Sequence, residues 1–318
     1  LLWRQDVSRH HAGTQTRLAP PDARRFCTRR KLAVTPSPTH WNAEDLWLDI
    51  APKLPGFTVE VLPEIDSTNT ELMRRARAGR AEPIVLVAES QTAGRGRQGK
   101  TWLNQPGDCL MYSLGMVLNP VDWSGLSLVV GLSIAESLQR APGTHTPRIG
   151  VKWPNDLWLH DGRKLGGTLI ETANLPAHTH APCFGAGQGT PRFVIIGTGI
   201  NVRPPHTPAQ ALHTPAACLQ DVDARWTAPQ ALAQLLPRLV DDVLLFAQQG
   251  FAPFQDRFAA RDVLRGQRVH LSDGSSGEAA GVLPDGTLQL RTDAGLRSVI
   301  SGDVSVRPIH MALPPAAV

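Results

Sequence analysis

The sequence predicts an α+β protein: a mixed sheet packed by helices on one face, followed by a small C-terminal β-barrel. Three observations lead there. Strand-like runs and helical runs alternate between residues 56 and 262, several of them at hairpin spacing. From about Gly266 the texture changes to short strands separated by the turn signals Ser272-Asp273-Gly274 and Pro284-Asp285-Gly286. Before both, a stretch rich in Arg, Pro and His shows no apolar periodicity and reads as a disordered basic segment. The boundaries that follow are 1–55 for the tail, 56–262 for the larger domain and 263–318 for the barrel.

Each element has a local reason. Val59 to Ile65 alternates as a strand. Thr68-x-x-Glu71 forms a capping box opening a helix to about Ala78, with Gly79 just past its end. Ile84 to Ala88 and Leu110 to Leu118 are apolar strands. Ser124 opens a helix through Leu138, with Leu128, Leu132 and Ala135 on one face. Arg148 to Lys152 and Lys164 to Glu171 read as extended, and Phe193 to Ile200 as a buried strand. Thr227 caps a long helix to about Gln249, within which Pro237 predicts a kink. Asn174 to Arg192 is Pro-, His- and Gly-rich and reads as a mobile hairpin extension; His178 and His180 within it are read as solvated, not as metal ligands. Val269 to Leu271, Glu278 to Leu283, Thr287 to Leu290 and Leu296 to Ile300 supply the strands of the barrel.

Composition excludes several classes. The chain has 318 residues and a net charge of +4, but residues 1–40 hold eight Lys or Arg against Asp6 and Asp22. The remainder carries a net charge of −2, so the folded body has no electrostatic footprint for nucleic acid. No helix-turn-helix pattern is found in the tail, where Pro20-Pro21 and Pro36-Ser37-Pro38 interrupt any candidate. No apolar run nears the roughly twenty residues that span a bilayer, and residues 1–30 lack a signal-peptide core. Cys27, Cys109, Cys183 and Cys218 show neither a C-x-x-C spacing nor a disulfide framework. A cytoplasmic, reducing setting is the expectation.

Chemistry concentrates in Gln91-Thr-Ala-Gly94-Arg95-Gly96-Arg97-Gln-Gly-Lys100-Thr-Trp102. Glycines allow close backbone approach and the cations hold anions. Gly94 to Thr101 formally satisfies the P-loop pattern, but a true P-loop leaves a buried strand directly and opens a helix. Here Glu89 to Thr92 intervene, and Asn104-Gln105-Pro106-Gly107 breaks any helix soon after. The loop has company: Asp66-Ser67-Thr68-Asn69 upstream, then Lys152-Trp153-Pro154-Asn155-Asp156, Lys164-Leu165-Gly166-Gly167, and Gly197-Thr198-Gly199-Ile200-Asn201.

In this order and spacing the chain resembles the biotin protein ligases over about residues 57 to 312. The resemblance implies a catalytic domain of the class II aminoacyl-tRNA synthetase/biotin ligase type and an SH3-like barrel. It implies ATP with Mg²⁺, adenylation of biotin to biotinyl-AMP, and transfer of biotin to a lysine of the biotin carboxyl carrier protein of acetyl-CoA carboxylase. It implies catalytic roles for Lys164, Arg97, Lys152 and Asp156. Biotin is then met by Ser67, Thr68, Asn69 and Gln91, by Gly94, Arg95, Gly96 and Arg97 of the loop, and by Lys164, Gly166 and Gly167. ATP is met by Arg97, Lys100, Trp102, Lys152, Asn155 and Asn201, with no protein metal site. The K-L-G-G segment departs mildly from the K-L-A-G common in the family. The tail carries no repressor-type DNA-binding domain on this reading, no membrane or nucleic acid is engaged, and the enzyme works as a monomer or homodimer. A lipoate-type ligase is the neighbouring alternative, and a basic nucleic-acid-binding module the alternative from another class.

Overall fold

The computed structural model describes residues 39–102, 105–139, 148–177, 179–205, 214–300 and 306–308. From Thr39 onward the chain forms one compact unit. The tail expected over residues 1–38 lies outside the described residues, as does His178.

The first element corrects the tail boundary. Residues 43–50 form helix α1 (Ala43–Ile50), and Trp41, Leu46 and Ile50 are buried in the main core. Two apolar residues on one face, with Trp41 just before the helix, are enough to dock a short helix that a charge-rich window concealed.

Next come β1 (Thr58–Ile65), α2 (Thr68–Arg77), β2 (Ile84–Gln91), β3 (Cys109–Leu118), α3 (Leu126–Leu138) and β4 (Ile149–Lys152). They are followed by β5 (Asp156–Leu159), β6 (Lys164–Ala173), β7 (Cys183–Phe184), β8 (Arg192–Asn201), α4 (Ala228–Gln249) and α5 (Gln255–Ala259). The large sheet runs β1-β2-β3-β8-β6-β5-β4, with β7 paired to the end of β3. β1 and β2 are parallel, and the remaining neighbours along that path are antiparallel. Residues 179–189, expected as a free extension, instead place β7 parallel to Val117–Leu118 and tie Gly187 N–H to the Asn119 carbonyl at 2.8 Å.

Alternation along the strands splits the core. Val85, Leu114 and Ile196 face α1, α3 and α4, whereas Leu86, Phe193 and Ile195 face α2 with its Leu72 and Ala76. Three helices therefore share one face, as expected, while α2 lies on the other. Because α2 is short, the rest of its face is left open beside it. α4 begins at its Thr227 cap, as expected, and continues as one helix through Pro237.

The C-terminal sheet comprises β9 (Arg268–Leu271), β10 (Ser276–Val282), β11 (Leu288–Thr292), β12 (Gly295–Val299) and β13 (Val306–Pro308), in the antiparallel order β12-β11-β10-β9-β13. It is held against the larger sheet at two places. Trp153, 1 % exposed, donates its indole N–H to the Gly286 carbonyl at 3.1 Å. The linker is laced to β4, with Val151 N–H bonding the Arg261 carbonyl and Val263 N–H the Val151 carbonyl.

Candidate active site

The open part of the α2 face is a cleft of about 610 Å³. Its floor is formed by β8 and β6, its walls by the start of α2, the glycine–arginine loop and the segment from the β4–β5 turn into β5. β13 closes one side: Val306, Arg307 and Pro308 of the C-terminal sheet line the same cleft. Sequence reasoning did not place them there, because nothing in a three-residue strand announces which distant wall it completes.

One end is a polar pocket. Ser67, not Thr68, is the N-cap of α2, accepting the Thr70 N–H at 3.4 Å. This one-residue correction frees Thr68 for the cleft: its N–H donates to Gln91 Oε1 at 2.8 Å, and its hydroxyl accepts from Ser113 Oγ at 2.7 Å. Asn69 is fully engaged. Its Nδ2 donates to the Leu169 carbonyl at 3.2 Å and to Glu171 Oε2 at 2.9 Å, and its Oδ1 sits 2.6 Å from Ser113 Oγ. Gly197 makes this possible, since a Cβ there would lie 1.9 Å from Asn69 Oδ1. Ser113, Leu169 and Glu171 were missed from sequence. Their signal was only the strand alternation that sets them on the α2 face.

At the centre three charges meet. Lys164 Nζ is 2.7 Å from Asp156 Oδ1, and Lys152 Nζ is 4.0 Å from Asp156 Oδ2. The bulge between Leu157 and Trp158 in the β5–β6 pairing aligns Gly167 with Asp156, and a Cβ on Gly167 would lie 3.1 Å from Asp156 Oδ1. Lys152 is buried and stacks over the Trp158 ring at 5.1 Å. Burial lowers its pKa to about 8; Lys164, Lys100 and Arg307 push the same way, and Asp156 opposes them. A cation-rich centre with one carboxylate holds excess positive charge, which suits an anionic ligand.

The loop forms a small hairpin over the cleft. Arg95 pairs with Thr101 in a β-bridge, Gly96 N–H bonds the Lys100 carbonyl at 2.7 Å, and residues 97–99 make a 3-10 turn with Gln98 at φ 55°. Among the described residues the next element is β3, not the helix that a P-loop opens. Arg97 Nη1 donates to Asn155 Oδ1 at 3.1 Å, and Arg95 is ion-paired with Glu171. Trp102 lies flat against Gly199, where a Cβ would come within 2.6 Å of the indole. Its Nε1 is buried and meets no acceptor among the described residues.

The predicted residues gather around one cleft; Gly94 and Gly166 are not among the residues that line it. A Cβ on Gly94 would strike the Trp102 carbonyl at 2.7 Å, and one on Gly166 the Gly199 carbonyl at 2.5 Å. Their smallness lets the neighbouring backbone approach closely. Asn201 lines the cleft, yet its Nδ2 is committed to the Ala217 carbonyl at 2.9 Å. Among the described residues no group of His, Cys, Asp or Glu could hold a metal ion.

Comparison with known proteins agrees with this arrangement. Residues 61–188 match the Biotin/lipoate A/B protein ligase family and residues 266–307 the Biotin protein ligase C terminal domain. The bifunctional ligase/repressor BirA of Escherichia coli is 33 % identical over 263 residues, covering 80 % of this chain and 76 % of that protein. The biotin–[acetyl-CoA-carboxylase] ligase of Mycobacterium tuberculosis is 30 % identical, covering 77 % and 88 %. The biotin protein ligase of Aquifex aeolicus in complex with biotin and ATP superposes with a TM-score of 0.62 at 27 % identity, covering 79 % of this chain and 98 % of that one. With both ligase domain models matched and 30–33 % identity to these curated ligases over more than three-quarters of its length, the chain belongs to the biotin protein ligase family.

Proposed function

We propose that the chain adenylates biotin, whose carboxylate displaces pyrophosphate from the α-phosphate of ATP to give biotinyl-AMP, and then passes biotin to a lysine of the carboxyl carrier protein of acetyl-CoA carboxylase, releasing AMP. The observation that carries this reading is the convergence of Lys152, Lys164, Arg97 and Lys100 on one cleft whose far end is a neutral hydrogen-bonding pocket. Biotin has that polarity: a ureido ring that needs fixed donors and acceptors, and a carboxylate at the end of an alkyl chain. The ring fits the pocket built from Ser67, Thr68 and Gln91, with Asn69 holding the wall.

The carboxylate then reaches Lys164, where repulsion between it and the α-phosphate must be offset. An ammonium at that junction stabilises charge as it develops. Lys152, Arg97 and Lys100 neutralise the phosphates, and Trp102 offers its ring to the adenine. Asp156 holds Lys164 in place and is the carboxylate best situated to take a proton from the incoming lysine. The loop excludes water from a labile anhydride. Mg²⁺, were it to enter with ATP, would be held chiefly by the nucleotide and would help neutralise phosphate charge; Asp156 is the carboxylate that would help hold it.

On this reading the enzyme works as a monomer or homodimer. The near-neutral body gives no reason to invoke nucleic acid. No described helix is long and apolar enough to cross a membrane, and the unpaired Cys109, Cys183 and Cys218 accord with a cytoplasmic enzyme. The test is ATP–pyrophosphate exchange with Mg²⁺, comparing biotin with lipoate. Exchange with biotin alone is expected. Exchange with lipoate alone would move the substrate to the sister class, and exchange with neither would refute the adenylation reading.

A further inference from the structure

Glu171 occupies a position the proposed reaction does not use. It stands on the α2-facing side of β6, paired in register with Ile195 of β8, and it is not part of the cleft lining. Its carboxylate nevertheless joins two parts of the site. Oε2 accepts from Asn69 Nδ2 at 2.9 Å, fixing the amide that walls the polar pocket, and the same oxygen is ion-paired with Arg95 of the covering loop. Asn69 has no slack to give. Its other contacts are the Leu169 carbonyl and Ser113 Oγ, and Gly197 leaves no room for it to be replaced from behind.

We propose that Glu171 is a positioning residue that latches the glycine–arginine loop to the biotin pocket, so that a filled pocket and a closed loop stabilise each other. The link is thermodynamic. A ligand that settles the Asn69 amide also settles the carboxylate that holds Arg95, and an ordered loop returns the effect to the pocket. Arg95 consequently differs from Arg97: it spends its charge on the protein, leaving Arg97 and Lys100 to meet the substrate anions. A glycine-rich loop needs such an anchor, because its backbone freedom opposes closure.

The inference rests on the assignment of the pocket to biotin, and the experiment separates the two. In the parent enzyme, biotin-dependent pyrophosphate exchange is measured first; its absence would sink the assignment itself. Glu171→Ala and Glu171→Gln are then compared for biotin KM, for exchange kcat, and for release of biotinyl-AMP into solution when no acceptor is present. Glu171→Gln keeps a carbonyl for Asn69 but loses the ion pair. It should release adenylate about threefold faster, the size of a half-exposed ion pair, with biotin KM within about twofold of the parent. Glu171→Ala loses both contacts and should add a rise in biotin KM of about tenfold, with a much smaller change in kcat. Arg95→Gln should release adenylate as fast as Glu171→Gln, and combining the two should add nothing further. Parent-like release in both Glu171→Gln and Arg95→Gln would overturn the latch, as would additive effects in the double variant. A uniform loss of kcat in all variants with unchanged biotin KM would overturn it too.

Discussion

Replacing Lys164 with methionine removes an ammonium while keeping most of the side-chain volume. The ammonium sits 2.7 Å from Asp156 Oδ1 with its side chain one-third exposed, so it is neither fully screened nor fully buried. A unit charge about 4 Å from the charge developing between carboxylate and phosphate contributes about 4 kcal/mol at an effective dielectric constant near 20. Solvent access reduces this, and roughly 2–4 kcal/mol remains, which is a rate loss of about thirtyfold to a thousandfold. The fold should survive, because Lys152 Nζ still lies 4.0 Å from Asp156 and offsets its charge. The assay is biotin-dependent ATP–pyrophosphate exchange, read as kcat/KM for ATP and for biotin, with thermal unfolding as the control. A variant that unfolds like the parent yet exchanges within about threefold of it would refute the placement of Lys164 at the reacting junction.

Three further outcomes are expected. Gly199→Ala drives a methyl to within 2.6 Å of the Trp102 ring, so ATP KM should rise by about tenfold or more while biotin KM moves little; equal effects on both would show that Trp102 is core rather than adenine platform. Lys152 loses its proton as pH rises through about 8, so kcat/KM for ATP should fall across that range, and Lys152→Arg should remove the falling limb. Its effect on stability has the opposite sign: the unfolded chain holds this proton up to the ordinary lysine range, so stability should rise with pH above about 8. Asp262 is buried in the linker and lifted to about 6 by desolvation, with its Oδ2 unpartnered among the described residues. A carboxyl whose folded pKa is raised loses stability as pH climbs from about 4 to 6, so Asp262→Asn should raise Tm by a few degrees near neutrality and by little near pH 4; no gain at neutral pH would contradict this.

The cleft was legible where function demands unusual residues. A lysine beside paired glycines, arginines spaced by glycines, and a tryptophan–proline turn stand out because no element needs them for propensity. The barrel was legible because turn chemistry recurs at Ser272–Gly274 and Pro284–Gly286, and both turns fall between the observed strands. What stayed hidden depends on register. Glu171 and Ser113 are ordinary strand residues until pairing decides which face they occupy. β5 was hidden because Asn155-Asp156 also suits a simple turn, and Asp156 in fact pairs with Lys152 across a hairpin. The cap of α2 slipped by one residue because both serine and threonine can serve; Gln91 Oε1, far away in sequence, decides between them.

The contact between Trp153 and Gly286 bears on how such chains can change. Gly286 sits at φ 80°, and a Cβ there would come within 2.8 Å of Gly125 Cα at the start of α3. The turn that aims Asp156 is thus seated on the neighbouring barrel through a joint with no spare volume. Truncating this chain at the linker, or grafting a barrel from a distant relative, would disturb chemistry far away in sequence, since Trp153 and Gly286 are 133 residues apart. Drift in the two segments must therefore be correlated, and barrel exchange between lineages should succeed only when residues around 125, 153 and 286 travel together.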